Sequence, residues 1–101
     1  MADGYEWDEA KRRANLAKHG LDFADVEGCE WPTAEIVEDR SAAYGEAGWI
    51  AYGLIRSRVC ALVFSERGHR TRVISLRYAD RKEVIRYVEQ QIEGQRQPSF
   101  G

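Results

Sequence analysis

His19 and His69 are the two histidines of this 101-residue chain and its only side chains with an unperturbed pKa near neutrality. Each has cations close by in sequence, Lys18 beside the first and Arg67, Arg70 and Arg72 around the second. Such pairs allow proton transfer next to a bound anion. Cleavage of an RNA phosphodiester is a reaction of this kind and needs no metal, because the 2′-hydroxyl is an internal nucleophile. What it needs is a base for that hydroxyl, cations for the charge that builds on phosphorus, and an acid for the leaving oxygen. Glu46 and Glu66 add candidate carboxylate bases, Lys18, Arg67 and Arg77 are candidate cations, and Tyr44, Trp49, Tyr52 and Tyr78 are candidate stacking surfaces for splayed bases. Other duties suit the same residues. Lys18 and His19 also complement the negative end of a helix dipole, by about 0.3 to 1 kcal/mol, and Arg77 suits a salt bridge to Glu66 or Asp80.

The first elements must hold the histidine and its cations. Asp8 is a good N-cap, Ala10, Ala14, Ala17 and Leu21 follow at helical spacing, and Gly20 is a C′ residue, so a helix is predicted over 9–19 with its alanine stripe toward a core. Lys11, Asn15, Lys18 and His19 then form a polar, partly cationic ridge that could face phosphate. A second, shorter helix is predicted from Asp22, burying Phe23 and Val26 and ending by Trp31-Pro32.

Beyond Thr33 the texture turns β-branched and aromatic, and four strands are predicted, over 34–39, 48–56, 59–66 and 71–78. The apolar run Val59 to Phe64 marks a central strand, and the short connections imply an antiparallel meander. With a two-residue Gly68-His69 loop, Arg77 falls opposite Cys60 and well away from Arg67; a longer loop shifts that register. Asp80 and Glu83 read as a capping box for a last helix whose apolar face is Val84, Ile85, Val88 and Ile92, with a stop at Gly94. The expected organisation is a single domain over 1–94 and a frayed tail over 95–101.

The net charge of −2 hides an asymmetry. Residues 1–50 carry 5 Lys/Arg against 12 Asp/Glu, which is −7, and residues 51–101 carry 10 against 5, which is +5. One basic working surface and an acidic remainder suited to a basic partner would give this split. Cys29 and Cys60 are far from each other and from both histidines, so no metal-ligand spacing is present; both read as core thiols, and neither metal nor cofactor is expected. With no long apolar run and no basic, apolar leader, a cytoplasmic protein without a membrane span is expected.

The segments Tyr5-Glu6-Trp7-Asp8, Lys11, Asn15, Lys18-His19-Gly20, Phe23, Asp39-Arg40, Tyr44-Gly45-Glu46, Gly53, Ser65-Glu66-Arg67 and Ile74-Ser75-x-Arg77-x-Ala79 together resemble the BrnT family of type II toxin-antitoxin ribonucleases over about residues 5–90. The resemblance implies a RelE-like α+β fold, with N-terminal helices and a C-terminal helix packed on a four-stranded, mainly antiparallel sheet. It implies a toxin that inhibits translation by cleaving RNA. It also implies neutralisation by a small ribbon-helix-helix antitoxin of the BrnA type, through which the complex reaches operator DNA. Carried over by motif, the catalytic set is Lys18, His19, Glu46, Arg67 and Arg77; Lys11 and Asn15 on the helix ridge and Arg70 and Arg72 across the hairpin turn are the expected RNA contacts. Two positions depart from the family pattern. Gly48 stands where an arginine is usual, and Leu76 where a small residue is commoner. The first departure gives the alternative reading, a catalytically weak homologue acting mainly as corepressor partner of its antitoxin.

Overall fold

The computed structural model describes residues 4–40 and 48–96. In chain order it holds β1 (Tyr5–Glu6), α1 (Glu9–His19), two 3-10 turns (Phe23–Gly28 and Trp31–Thr33), β2 (Glu35–Asp39), β3 (Gly48–Ile55), β4 (Arg58–Arg67), β5 (Arg70–Tyr78) and α2 (Arg81–Arg96). The sheet has five strands in the order β1-β5-β4-β3-β2. The α+β class and the antiparallel meander from β2 to β5 agree with expectation; the four-stranded sheet does not. Tyr5 and Glu6 pair in parallel with Thr71 and Arg72 on the far side of β5, which makes the sheet mixed. Two residues are too few to show a period-2 pattern, so this strand has no sequence signature.

β4 is central, as its apolar run predicts. One face of the sheet carries the core: Ala51 and Ile55 from β3, Cys60, Leu62 and Phe64 from β4, and Val73 and Leu76 from β5, all 4% exposed or less. Leu21, Phe23 and Val26 cover this face, and the edge-on contacts of Trp7 with Phe23 and of Trp31 with Phe64 extend the cover. The expected second helix is instead the two 3-10 turns. Its start is as read, because Asp22 and Asp25 form a reciprocal capping box.

β3 and β4 join through Arg56 and Ser57, both at positive φ, a conformation that costs non-glycine residues on the order of 1 kcal/mol each. The Arg56 guanidinium is tied down by Asp25 Oδ1 at 2.9 Å. Gly68 supplies the positive φ of the β4–β5 turn at no such cost. Arg67 lies opposite Arg70, but a bulge at Val63/Phe64 shifts the ladder, so Arg77 lies opposite Ala61 and not Cys60.

The helices keep their predicted caps and depart in their faces. Asp8 Oδ1 accepts from the Ala10 and Lys11 amides at 2.8 and 3.1 Å, and Gly20, at φ 74°, donates its N–H to Leu16 O. Ala10, Ala14 and Ala17 are nevertheless exposed, and the buried residue of α1 is Asn15. Alanine methyls offer little area to bury, so the hydrogen bonds of Asn15 orient the helix. On α2 the Asp80/Glu83 capping box is present in both directions, at 2.8 and 2.9 Å. The helix runs through Gly94 to Arg96. Tyr87 is its buried anchor, with its hydroxyl on Thr33 Oγ1 and Gln91 Nε2 on Thr33 O, and this rotation leaves Ile85, Val88 and Ile92 nearly half exposed.

Candidate nucleic-acid interface

The second face of the sheet collects the cations. Paired residues share a face, so Arg70 opposite Arg67, Arg72 opposite Ser65, Ser75 opposite Val63 and Arg77 opposite Ala61 all project from the side away from the core. The bulge makes this possible. A spacing of five would place Arg72 and Arg77 on opposite faces of a regular strand, and the extra residue brings them onto one.

At the β4–β5 turn three arginines converge on one carboxylate. Glu6, carried to this face by β1, lies 3.2 Å from Arg72, 3.5 Å from Arg70 and 3.9 Å from Arg67. Arg70 also donates to Tyr5 O at 2.8 Å. Among the described residues, one carboxylate here meets three guanidiniums, an arrangement that suits an anion.

Farther along β5 the open strand edge is covered by α1. Asn15 Nδ2 donates to Leu76 O at 2.8 Å and Leu21 O at 3.0 Å, while Oδ1 accepts from the Leu76 N–H at 3.0 Å. The side-chain amide thus pairs with both backbone groups of Leu76, as a neighbouring strand would. Beside this clamp, Lys11, Ala14, Lys18 and His19 line a shallow groove of about 220 Å³ with Ile74 and Ser75 of β5. The ridge read from the sequence therefore exists as a groove wall, but Asn15 is its buried fastening. Its amide is engaged on both sides by Leu76 and Leu21, and it also lines the groove.

Arg77 sits at the other end of β5, paired to Glu83 through Nη1 at 2.8 Å and Nη2 at 2.9 Å, not to Glu66 or Asp80. The Arg77 hydrogen bonds hold the Glu83 carboxyl down at about 2 against partial burial, and the same bonds push the guanidinium pKa up. Tyr52, opposite Ala61 on this face, has its phenol pushed up by burial and then by the Glu83 charge. The sequence signal for this partnership was the capping box, which fixes Glu83 at the N-terminus of α2 one turn beyond the end of β5.

The arrangement separates the expected catalytic set. Lys18 and His19 lie on the groove, Arg67 in the turn cluster and Arg77 at the far end, roughly 15 Å from Arg72 at about 3.3 Å per residue. Glu46 and Tyr44 lie outside the described residues. Glu66 alternates with Arg67 and lines a cleft on the other face. Of the proposed stacking rings, Trp49 packs against the core, Tyr78 lies under Arg58 with the guanidinium carbon 3.6 Å from its centroid, and Tyr52 adjoins Glu83. Glu6 was missed as a functional residue because its role depends on the parallel pairing of β1.

A track of arginines, with a Lys-His groove alongside, is now placed on this fold. The family model described as the ribonuclease toxin BrnT of type II toxin-antitoxin systems matches residues 7–83. The chain belongs to the BrnT family. A search of curated proteins gives no match. Membership implies a ribonuclease toxin with an antitoxin partner. The BrnT match takes in α1, the whole meander and the start of α2 up to Glu83, so it spans the groove, the bulged strand and the Arg77–Glu83 pair. It begins at Trp7, just after Glu6. Among the described residues, no helix is long and apolar enough to cross a membrane.

Proposed function

We propose that this BrnT chain is a metal-independent endoribonuclease that inhibits translation, with its RNA lying along the cationic face of β5. The observation that carries this reading is the bulged register of β5. It aligns Arg72, Ser75 and Arg77 on one face, with the Arg67/Arg70/Arg72 cluster at one end and the Lys11/Lys18/His19 groove at the edge. In this reading the arginines bind successive phosphates, Lys18 positions the backbone, and His19 or Glu46 exchanges the proton of the 2′-hydroxyl or the leaving oxygen. Arg77 stabilises phosphate charge from the place where Glu83 holds it. The partner is a ribbon-helix-helix antitoxin, and operator DNA is reached only through it. The site of action is the cytoplasm.

The test is cleavage of bulk RNA by purified protein in EDTA, comparing wild type with Lys18→Ala, Arg72→Ala and Arg77→Ala once each is shown to be folded. Cutting should survive EDTA and fall at least about tenfold in each variant, the loss of one charge-assisted phosphate contact. Arg72→Ala should also lower the slope of log affinity against log salt by about 0.7 on single-stranded RNA. Wild-type protein that leaves RNA intact, or variants that cut at the wild-type rate, would refute the assignment.

A further inference from the structure

On the core-bearing face, a cleft of about 380 Å³ opens between the second 3-10 turn and the sheet. Tyr5, Trp31 and Phe64 provide its rings, Pro32 and Ile36 its aliphatic sides, and Glu66 and Thr71 its polar rim. The rings are fixed before any ligand arrives. Trp31 Nε1 donates to Tyr5 Oη at 2.7 Å, and the indole meets Phe64 edge-on, with centroids 5.5 Å apart at 86°.

Glu66 sets the charge of this cleft. Its neighbours Arg67, Arg70 and Arg72 all face the opposite side, gathered on Glu6, so among the described residues no cation lies within salt-bridge distance of Glu66. Among the described residues, its carboxylate reaches a long contact of 3.5 Å with the Thr71 hydroxyl. Tyr5, Trp31, Pro32 and Ile36 of its lining come from the acidic half of the chain, and Phe64, Glu66 and Thr71 from the other half. The Tyr5 phenol is pushed up by burial and, after Cys29, by Glu27 and Glu66, against the Trp31 bond that lowers it. Aromatic faces, apolar walls and an anionic rim with no lining cation repel a phosphate chain and attract a cation on an aliphatic stem.

We infer that this cleft receives a lysine or arginine side chain of the antitoxin, its methylenes against Trp31 and Phe64 and its cation at the Glu66 carboxylate. The inference rests on the family reading that an antitoxin is the partner. It gives the core-bearing face of the sheet a docking task separate from the RNA-facing arginines. A nucleobase is the competing occupant, since a carboxylate also accepts from amino edges and rings also stack on bases.

The experiment is a titration of the full ¹⁵N-labelled chain with acetyl-Leu-Arg-Leu-amide, with its citrulline isostere and with guanosine monophosphate. The Trp31 indole N–H is the reporter, and the Trp7 and Trp49 indoles are internal controls. The arginine peptide should move Trp31 and the Thr71 amide. The citrulline peptide should bind about tenfold more weakly, and Glu66→Gln should weaken the arginine peptide by a similar factor. Equal binding of arginine and citrulline peptides, indifference to Glu66→Gln, no shift at millimolar peptide, or preference for the nucleotide would each overturn the proposal. RNA cleavage by the same wild-type sample is read in parallel. Its absence refutes the ribonuclease reading and leaves the titration standing, whereas cleavage without arginine discrimination refutes the cleft alone.

Discussion

Replacing Asn15 tests whether α1 is held to the sheet by hydrogen bonds or by apolar packing. The side chain is 7% exposed and makes three bonds of 2.8 to 3.0 Å, two to Leu76 and one to Leu21 O. Asn15→Ala leaves the N–H and C=O of Leu76 and the C=O of Leu21 without that partner. Each orphaned buried group costs about 1 to 3 kcal/mol. Partial entry of water into the alanine gap reduces the sum, so the expected loss is about 3 to 4 kcal/mol. That is a large part of a total of roughly 5 to 15 kcal/mol. For a domain of this size it lowers the melting temperature by about 12 to 32 °C, at roughly 4 to 8 °C per kcal/mol. Urea unfolding followed by tryptophan fluorescence gives the free energy directly.

Asn15→Asp sharpens the test. An ionised carboxylate can accept from the Leu76 N–H but meets the carbonyls of Leu76 and Leu21 without a proton to offer, so its folded-state pKa rises above the unfolded value near 3.9. A raised folded pKa gives stability that is present below the unfolded pKa and lost as pH rises through the folded one. This variant should therefore be nearer wild type in acid than at pH 7, whereas Asn15→Ala should show no such pH dependence. A loss below about 1 kcal/mol in Asn15→Ala, or a flat pH profile in Asn15→Asp, would refute the clamp.

Glu83 has a depressed folded pKa of about 2, against about 4.3 unfolded, so the Arg77 bridge contributes stability above the unfolded value and loses it as pH falls toward 2. Glu83→Gln should cost about 1 to 2 kcal/mol at pH 7, after discounting for the solvent that reaches Arg77, and acid unfolding curves of variant and wild type should converge near pH 2. Cys29 is pushed up to about 11 by burial first, and burial also raises Cys60. Both thiols should resist iodoacetamide at pH 7.5 in the native protein and react once it is unfolded in urea, which thiol counting by mass will check.

Local chemistry was legible in the sequence. The Asp8 and Asp80/Glu83 caps, the positive φ of Gly20, burial of Phe23 and Val26, and the central place of β4 all follow from side chains acting on backbone within a few residues or from an uninterrupted apolar run. So did most of the cations that the structure places along β5 and α1. Which of them share a face was decided elsewhere. Periodicity pointed the alanines of α1 inward, but Asn15 found the unpaired edge of β5 sixty-one residues away and turned the helix. Counting from the Gly68 turn put Arg77 opposite Cys60 on the core face, but one extra residue in the ladder carried it to the side of Arg72. Glu6 gathered three arginines only because a two-residue parallel strand brought it to Arg72. Long-range pairing, strand register and bulges depend on the competition of whole surfaces for burial and for hydrogen-bond partners, so the residue types could name the chemistry while the tertiary structure alone chose its neighbours.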